Sequence, residues 1–358
     1  MSVAPIVVSR NKASTRMLPR LLRQKRLSIG VIGYGYWGPN LVRNFRELST
    51  TRVAMLADLD QRRLDQAVER YPGLTTTQSV DDLLTSRVDG VVVATPVSTH
   101  FAIARECLLH GKHVLVEKPL AQTVAQAQTL VELAAERGLT LMVGHTFVYS
   151  PAVEMLKAIV ESGELGDIYY VHSSRTNLGL VQRDINVIWD LAPHDISILL
   201  YVLGVMPTSV SSSGACLLQE EVHEVARMTI DFPGRVQAHV HVSWLDPCKV
   251  RRLTIVGSKK MVVYDDVEAV EKLRIYDKGV ECSVLGTGHT HISYKHGSIT
   301  IPVVPQQEPL RVECAHFADC IRGVAESRSS GPIGVQVVKV LEAAHRSLLG
   351  GGQRELIV

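Results

Sequence analysis

The sequence predicts an α/β protein: a doubly wound parallel sheet, then an α+β domain with a large, mostly antiparallel open sheet. Two observations carry this prediction. Between residues 27 and 147, apolar strand-like runs alternate with amphipathic helical segments, as they do around a parallel sheet. From about residue 151, short β-rich runs follow one another without helices between them, which is typical of antiparallel pairing. The 358 residues also exceed the length of one typical domain.

The first strand runs into a glycine-rich turn. In "LSIGVIGYGYWGPN" (27–40), Gly33, Gly35 and Gly38 have the spacing G-x-G-x-x-G. Gly33 would permit the tight turn, Gly35 would let the backbone approach a pyrophosphate, and Gly38 would let the next helix pack closely on the strand. The start of that helix offers free N–H groups and a positive dipole end to phosphates. The segment therefore predicts a dinucleotide site.

The second strand, "RVAMLADLD" (52–60), supports the same prediction. Asp58 lies 20 residues after Gly38, where a carboxylate accepts hydrogen bonds from the adenosine ribose. This carboxylate would repel a 2′-phosphate, which favours NAD over NADP. Arg62 and Arg63 lie close enough in sequence to weaken that preference.

The alternation continues to the end of the first domain. "VDGVVVATP" (88–96) is an uninterrupted apolar run, as expected of a parallel strand buried on both faces. An amphipathic helix ending at Gly111, a strand at 112–120, a further helix and a strand near 140 complete the pattern. Residues 27–147 are therefore predicted to form a Rossmann-type domain.

The second half is predicted to begin with a helix from Pro151 and to continue as strands. Alternating valines and alanine at 236–242 indicate a strand with one buried face, and "DFPGR" (231–235) indicates a hairpin turn. Two late amphipathic segments, near 309–326 and 335–351, are predicted to be helical. Because an open sheet needs one face covered, we expect a homo-oligomer, a dimer or a tetramer.

Charge is distributed unevenly along the chain. Residues 1–26 hold seven Lys or Arg, and the first acidic residue is Glu47. The rest of the chain therefore has 31 of the 38 basic residues and all 36 acidic ones, so it is mildly acidic. This charge argues against a nucleic-acid partner. The basic extension is either a targeting segment or a solvated tail. Six scattered cysteines without a C-x-x-C pair, and no membrane-length apolar run, predict a cytoplasmic protein without a membrane partner.

The segment "WDLAPHD" (189–195) concentrates polar chemistry. Asp190 and His194 are four residues apart, which on a helix places both on one face. They could form a core polar contact, a metal site or an acid–base centre. Pro193 is tolerated in a first helical turn, so we expect Asp190 at or just before the helix start, which leaves its pairing with His194 open. No metal is expected, since the H-x-H pairs at 239–241 and 289–291 and His316 near two cysteines lack further ligands at a recognised spacing.

Taken together, these motifs resemble a known family. The glycine turn, Asp58, "ATPVSTH" (94–100), "EKP" (117–119) and the Asp–x3–His pair look like the glucose-fructose oxidoreductase / inositol dehydrogenase / MocA family, over residues 27 to about 350. The resemblance implies an NAD(P)-dependent oxidoreductase acting on a sugar or cyclitol hydroxyl. It also implies a substrate and oligomerisation domain at 148–333 and a helix at 334–358 packed back on the first domain. "GYGYWGPN", "VGHTFVYSPAV" and "NVIWDLAPHDI" are most similar to UDP-N-acetylglucosamine 3-dehydrogenases.

The resemblance also implies residue roles. Lys118 would stabilise alkoxide character on the substrate oxygen, His194 would be the general base, and Asp190 would support it. The implied cofactor contacts are Gly33, Gly35, Tyr36, Trp37, Gly38, Asp58, Thr95, Pro96, His100, Glu117 and Lys118. The expected substrate contacts are Lys118, Tyr149, Arg175, Asn177, Arg183, Asn186, Asp190 and His194.

Several readings stay open at this point. Asp195 is either a site residue or a structural polar contact, Trp189 is either core or cofactor-stacking, and Lys249, Arg251 and Arg252 are expected to be solvated. The rival functions are an inositol or free-sugar dehydrogenase, a ketoreductase, and a non-catalytic NAD-binding sensor. A sensor would have no need of Lys118, Asp190 and His194 together.

Overall fold

Two β-sheets organise the chain. The structure, a computed structural model, describes residues 26–284 and 290–358, and the side chains of all of these except 281–284, 290 and 291. Of the predicted basic extension it describes only Arg26. The His289–His291 pair also lies outside the described side chains.

The first sheet is parallel throughout, which confirms the predicted doubly wound fold. Its strands are β1 (Leu27–Ile32), β2 (Thr51–Ala57), β3 (Thr75–Thr77), β4 (Gly90–Val93), β5 (His113–Glu117) and β6 (Leu141–Gly144), in the order β3-β2-β1-β4-β5-β6. The connecting helices are α1 (Gly38–Glu47), α2 (Gln61–Arg70), α3 (Val80–Thr85), α4 (Val97–Leu109) and α5 (Val124–Glu136). Strand order reverses between β1 and β4, and ligands bind outside the carboxyl ends of strands at such a switch point.

The second sheet has nine strands among the described residues. They are β7 (Ile168–Thr176), β8 (Ser209–Ala215), β9 (Val225–Asp231), β10 (Gln237–Ser243), β11 (Val250–Gly257), β12 (Met261–Asp265), β13 (Leu273–Val284), β14 (Thr290–Thr300) and β15 (Glu355–Leu356). Their order is β14-β13-β12-β11-β7-β10-β9-β8-β15, and every pair is antiparallel except β7 with β10. This confirms the predicted open sheet, and the turn at Pro233–Arg235 joins β9 to β10 as expected.

Helices join the two sheets. They are α6 (Pro151–Glu161), α7 (Val187–Leu203), α8 (Pro309–Ile321) and α9 (Gly331–Leu349). Helix α9 packs on α5 and β6 on one side and on α7 and β8 on the other. A Cβ built on Gly334 would lie only 2.6 Å from a methyl of Val143, so glycine allows this close approach. The two sheets therefore share one apolar core.

Helix α7 begins earlier than Pro193 suggested. The side chain of Asn186 accepts the backbone N–H groups of Ile188 (3.1 Å) and Trp189 (3.3 Å), which caps the helix there. Pro193 consequently lies inside the helix, and the expectation that it marks the first turn was wrong. Asp190 still occupies the first turn, because the Asn186 cap fixes the helix start.

Candidate active site

Lys118, Asp190 and Trp244 meet where the two sheets approach each other. The Lys118 ammonium at the end of β5 donates to the backbone oxygen of Asp190 (2.7 Å) and to its Oδ1 atom (3.2 Å). The buried Trp244 indole, just after β10, donates to Asp190 Oδ2 (2.9 Å). Both carboxylate oxygens are thus engaged, while Lys118 and Asp190 stay partly exposed. The arrangement fixes a partly exposed ammonium at the carboxyl end of β5.

His194 lies one turn further along α7. Its ring packs edge-to-face on Phe147, with 5.0 Å between the ring centroids, and its buried Nδ1 atom has no hydrogen-bond partner among the described residues. Burial, then the charges of Lys118, Arg175 and Arg251, hold the pKa of His194 well below its usual 6.5. The imidazole is therefore neutral and able to accept a proton. The contact between Asp190 and His194, which the sequence left open, is not made, because Lys118 and Trp244 occupy the carboxylate.

A second histidine and two carboxyl groups lie next to this centre. His145 is 1% exposed, neither of its ring nitrogens has a partner among the described residues, and burial lowers its pKa to about 3. Burial raises the pKa of Glu117 to about 7, against the opposing charge of Lys118. Glu313 on α8 is fully buried, and burial and the Glu117 carboxylate raise its pKa well above its usual range. His145, Glu313 and Trp244 are not among the site residues predicted from the sequence.

Arg175, an expected substrate contact, forms a buried ion pair. Its Nε atom lies 2.7 Å from Oδ2 of Asp195, and Ser173 Oγ donates to Oδ1 of the same carboxylate at 2.7 Å. Arg175 and Asp195 are 5% and 3% exposed. The Arg175 guanidinium also lies over the Phe147 ring, 4.5 Å from its centroid. The structure thus uses Arg175 to hold β7 to α7, and Asp195 is a structural contact.

The other expected substrate residues separate into two groups. Tyr149 is fully buried and its hydroxyl hydrogen-bonds Ser329 at 2.8 Å, so it belongs to the core. Asn186 is the α7 cap described above, and Trp189 is also buried. Asn177 is partly exposed and Arg183 is exposed, both between β7 and α7, which keeps them available to a ligand.

Arg251, expected to be solvated, reaches the site. It lies on β11 directly opposite Arg175, 5.6 Å from the Phe147 ring centroid, and pairs with Asp266 at 3.2 Å. Arg252 pairs with Asp265 at 2.8 Å. A basic cluster in sequence separates on a strand because successive side chains point to opposite faces.

The glycine turn has the shape that a dinucleotide needs. Gly33 adopts φ +97°, and a Cβ on Gly38 would lie 2.2 Å from the Gly33 carbonyl oxygen. A Cβ on Gly35 would find only Arg63, at 3.7 Å, so the space above Gly35 is open for a phosphate. Among the described residues, no side chain caps the N-terminus of α1. Pro39 has no N–H and the Asn40 N–H bonds to the Trp37 oxygen at 3.0 Å, so the Gly38 N–H is left for a ligand.

Asp58 lies just after β2 and is 9% exposed. Its oxygens accept the backbone N–H groups of Tyr34 (2.6 Å) and Asp60 (2.8 Å), and Arg63 is 3.6 Å away. Arg62 pairs with Asp60 at 2.9 Å instead. The carboxylate is therefore fixed beside the glycine turn, as ribose recognition requires.

The remaining implied cofactor residues lie near the carboxyl ends of the strands of the first sheet. His100 is buried, with ring nitrogens 2.8 Å from the Pro119 oxygen and 2.9 Å from the Thr95 oxygen. It therefore ties the turn at Thr95 and Pro96 to the turn after Lys118. Tyr36 is 84% exposed, and the Trp37 indole lies close enough to Glu117 to lower the pKa of that carboxyl group against the larger effect of burial.

Within the described part of the chain, no group of three or more His, Cys, Asp or Glu side chains could hold a metal ion. No helix in that part is long and apolar enough to cross a membrane.

Comparisons with known proteins agree with this geometry. Residues 27–145 match the oxidoreductase family with an NAD-binding Rossmann fold, and residues 153–263 match the GFO/IDH/MocA C-terminal domain. A UDP-N-acetylglucosamine 3-dehydrogenase of Acidithiobacillus ferrooxidans is 27% identical over 325 residues, 88% of this chain and 94% of that protein. An inositol 2-dehydrogenase of Burkholderia vietnamiensis is 28% identical over 267 residues, 73% of this chain and 72% of that protein.

Among solved structures, GenD2 from gentamicin A biosynthesis, in complex with NAD, has a TM-score of 0.79 at 23% identity and covers 96% of this chain and 100% of its own. The two family matches together span most of the chain, and the glycine turn and Asp58 fit the cofactor that they specify. The chain belongs to the glucose-fructose oxidoreductase / inositol dehydrogenase / MocA family of NAD-dependent oxidoreductases.

Proposed function

We propose that this protein is an NAD-dependent dehydrogenase that oxidises a ring hydroxyl of a nucleotide sugar, namely the C3 hydroxyl of UDP-N-acetylglucosamine, to a ketone. One observation carries the chemistry: the Lys118 ammonium, fixed by Asp190, lies beside the neutral His194 at the carboxyl edge of an NAD-binding sheet. The choice of sugar is supported by the relative of that activity, which aligns with 88% of this chain.

The residues divide the work as follows. The glycine turn and Asp58 would hold NAD, which would supply the acceptor for the hydride from the substrate carbon. Lys118 donates a hydrogen bond to the substrate oxygen and stabilises the negative charge that grows there. His194 takes the hydroxyl proton, since its imidazole is neutral before substrate arrives.

Asp190 acts on Lys118 rather than on His194. Its carbonyl and Oδ1 atoms both accept from the ammonium, and Trp244 holds the other carboxylate oxygen. A lysine side chain is flexible, and these contacts would hold its ammonium in place to donate to the substrate oxygen. We assign Asp190 and Trp244 to orienting Lys118.

The sugar diphosphate needs cationic or amide partners. Arg175 is already neutralised by Asp195, so the exposed Arg183 and the partly exposed Asn177 are the candidates among the expected residues. Both belong to the segment between β7 and α7, which leads directly to Asp190 and His194.

A substrate panel tests the proposal. Purified protein with NAD is offered UDP-N-acetylglucosamine, free N-acetylglucosamine and myo-inositol, and NADH formation is followed by absorbance. We expect turnover with the nucleotide sugar and little with the other two. Preferred turnover of myo-inositol would support the inositol dehydrogenase alternative, to which the Burkholderia relative points. NAD binding without turnover of any hydroxyl compound would favour a sensor.

A further inference from the structure

A cavity of about 240 Å³ lies behind the active site, and we call it the rear cavity. Its wall includes His145, Ser197 and Tyr201 on the inner side and Lys157, Val205 and Arg328 further out. On the same measure one water molecule needs only roughly 10–15 Å³, so the cavity has room for several. Its lining is mixed: apolar side chains predominate, and a serine, a tyrosine and two cations offer polar groups to water. The two cations, Lys157 and Arg328, pair with Glu161 and Glu154.

His145 forms the boundary between the rear cavity and the active site. Its ring is 1% exposed, yet both of its ring nitrogens lack a partner among the described residues. One of these nitrogens must carry a hydrogen, so the ring has both a donor and an acceptor to offer. A buried polar group without a partner is costly, and ordered water in an adjoining cavity is the usual solution.

The catalytic centre contacts the same boundary. His145 immediately precedes the short 3₁₀ helix Thr146–Tyr149, whose Phe147 packs on the His194 ring. Ser197, in the cavity wall, donates to the His194 backbone oxygen at 2.8 Å. His194 presents its buried, unpartnered Nδ1 atom to the interior. A positive charge on His145 would also oppose protonation of His194.

A proton must leave this site in every oxidation. Lys118, Arg175 and Arg251 all oppose a positive charge on His194, and Lys118 opposes one on His145. Lys157 and Arg328 add positive charge at the cavity wall. The nearby carboxyl groups are Glu117, beside Lys118 in sequence, and Glu313 on α8, which interacts with Glu117. Because the nearby cations oppose an imidazolium at His194, the proton that His194 accepts needs a route to water.

We propose that His145 is a positioning residue that passes the substrate proton from His194 to water held in the rear cavity. This inference rests on the proposed role of His194 as the base. The substrate O–H bond breaks and an N–H bond forms on His194. The proton on Nδ1 of that cation then moves to one ring nitrogen of His145, directly or through a water molecule. His145 releases the proton on its other nitrogen to cavity water, and the electron pair from the substrate carbon goes to NAD.

The first test needs no substrate. A crystal structure of the wild-type protein with NAD, at a resolution that shows water, should place an ordered water of the rear cavity about 2.6–3.2 Å from a ring nitrogen of His145. A dry cavity, or a His145 ring bonded only to protein groups, would overturn the proposal. Because this arm involves no turnover, its outcome stands whether or not the proposed substrate is correct.

The second test is kinetic and uses whichever hydroxyl compound the wild-type enzyme oxidises. His145→Ala should lower kcat by about 10- to 100-fold, with KM nearly unchanged, since the residue acts on proton transfer. Added imidazole, entering through the rear cavity, should restore most of the lost kcat with a pH dependence that follows the neutral form of imidazole. Val205→Ala, a change at the cavity mouth, should leave kcat within about twofold and insensitive to imidazole.

Loss of kcat in His145→Ala without rescue by imidazole would indicate a merely structural role and overturn the relay. Unchanged kcat would overturn it as well. If the wild-type enzyme oxidises no hydroxyl compound at all, the proposed function fails by itself, and the water structure around His145 still decides the present question.

Discussion

The Lys118 ammonium lies 2.7 Å from the backbone oxygen of Asp190 and 3.2 Å from its Oδ1 atom. The two residues are 72 positions apart, one at the end of β5 and the other in the first turn of α7. The contact therefore fixes the end of a parallel strand against a helix that packs on the second sheet. The position of the ammonium depends on how the two halves of the chain meet.

Replacing Lys118 with alanine should abolish most turnover and spare cofactor binding. Loss of one fixed donor to a developing oxyanion costs about 10²–10³-fold in kcat. The glycine turn and Asp58 are untouched, so the Kd for NAD should change by about threefold at most, which intrinsic fluorescence or calorimetry can measure. Near-normal kcat in Lys118→Ala would remove this residue from the mechanism.

The pH profile should report the environment of His194. Because burial and neighbouring cations lower its pKa well below 6.5, the neutral base persists as the solution becomes mildly acidic. In the oxidation direction, kcat/KM, which reports the free enzyme, should show no decline from His194 between about pH 8 and pH 6. An acidic limb at or above pH 6.5 that disappears in His194→Gln would contradict the structure.

Two glycines of the same motif should respond differently to alanine. In Gly38→Ala the new methyl would lie 2.2 Å from the Gly33 oxygen, so the backbone must shift and stability should fall by about 1–3 kcal/mol. In Gly35→Ala the nearest neighbour of the new methyl would be the Arg63 side chain at 3.7 Å, so the fold should persist. The methyl would instead fill the phosphate space and raise the Kd for NAD about tenfold or more.

Thermal unfolding and NAD titration of the two variants separate these effects. A Gly35→Ala protein that binds NAD normally would show that the pyrophosphate lies elsewhere. In that case the open space above Gly35 has another explanation.

The buried Arg175–Asp195 pair predicts a stability defect rather than a substrate defect. Asp195→Ala leaves a buried guanidinium without its partner, which costs about 3–5 kcal/mol and should lower Tm clearly. The double change Arg175→Met, Asp195→Leu should recover much of that loss, because no buried charge is left unpaired. If Arg175→Met instead raised KM with Tm unchanged, Arg175 would be a substrate residue.

Strands and turns that depend only on neighbouring residues could be predicted, because burial and turn formation leave a recognisable residue pattern in the sequence. The uninterrupted apolar run of β4 reflects burial on both faces, and the Pro-Gly turn between β9 and β10 needs only its own residues. The hairpin of β13 and β14 was not predicted. Residues 292–300 are exposed, so the strand shows no alternation of buried and exposed side chains that would indicate it.

The active site shows where such patterns end. The spacing of Asp190 and His194 left a contact between them open, and in the structure the Asp190 carboxylate binds Lys118 and Trp244, which are 72 and 54 positions away. Likewise, Tyr149 and Arg175 were expected to contact the substrate, yet both side chains are buried in the structure. The resemblance singled out Lys118 and His194 as candidates, whereas the contacts of Asp190 with Lys118 and Trp244 follow from tertiary structure alone.

The most direct test of the proposed function follows the hydrogen at the reacting carbon. UDP-N-acetylglucosamine carrying deuterium at C3 is incubated with the wild-type protein and NAD, and the reduced cofactor and the sugar are analysed by mass spectrometry and NMR. Our account predicts deuterium in the reduced cofactor, a ketone at C3 and a slower rate than with the unlabelled sugar. Deuterium retained at C3 while another carbon is oxidised, or no reduction of NAD, would contradict it.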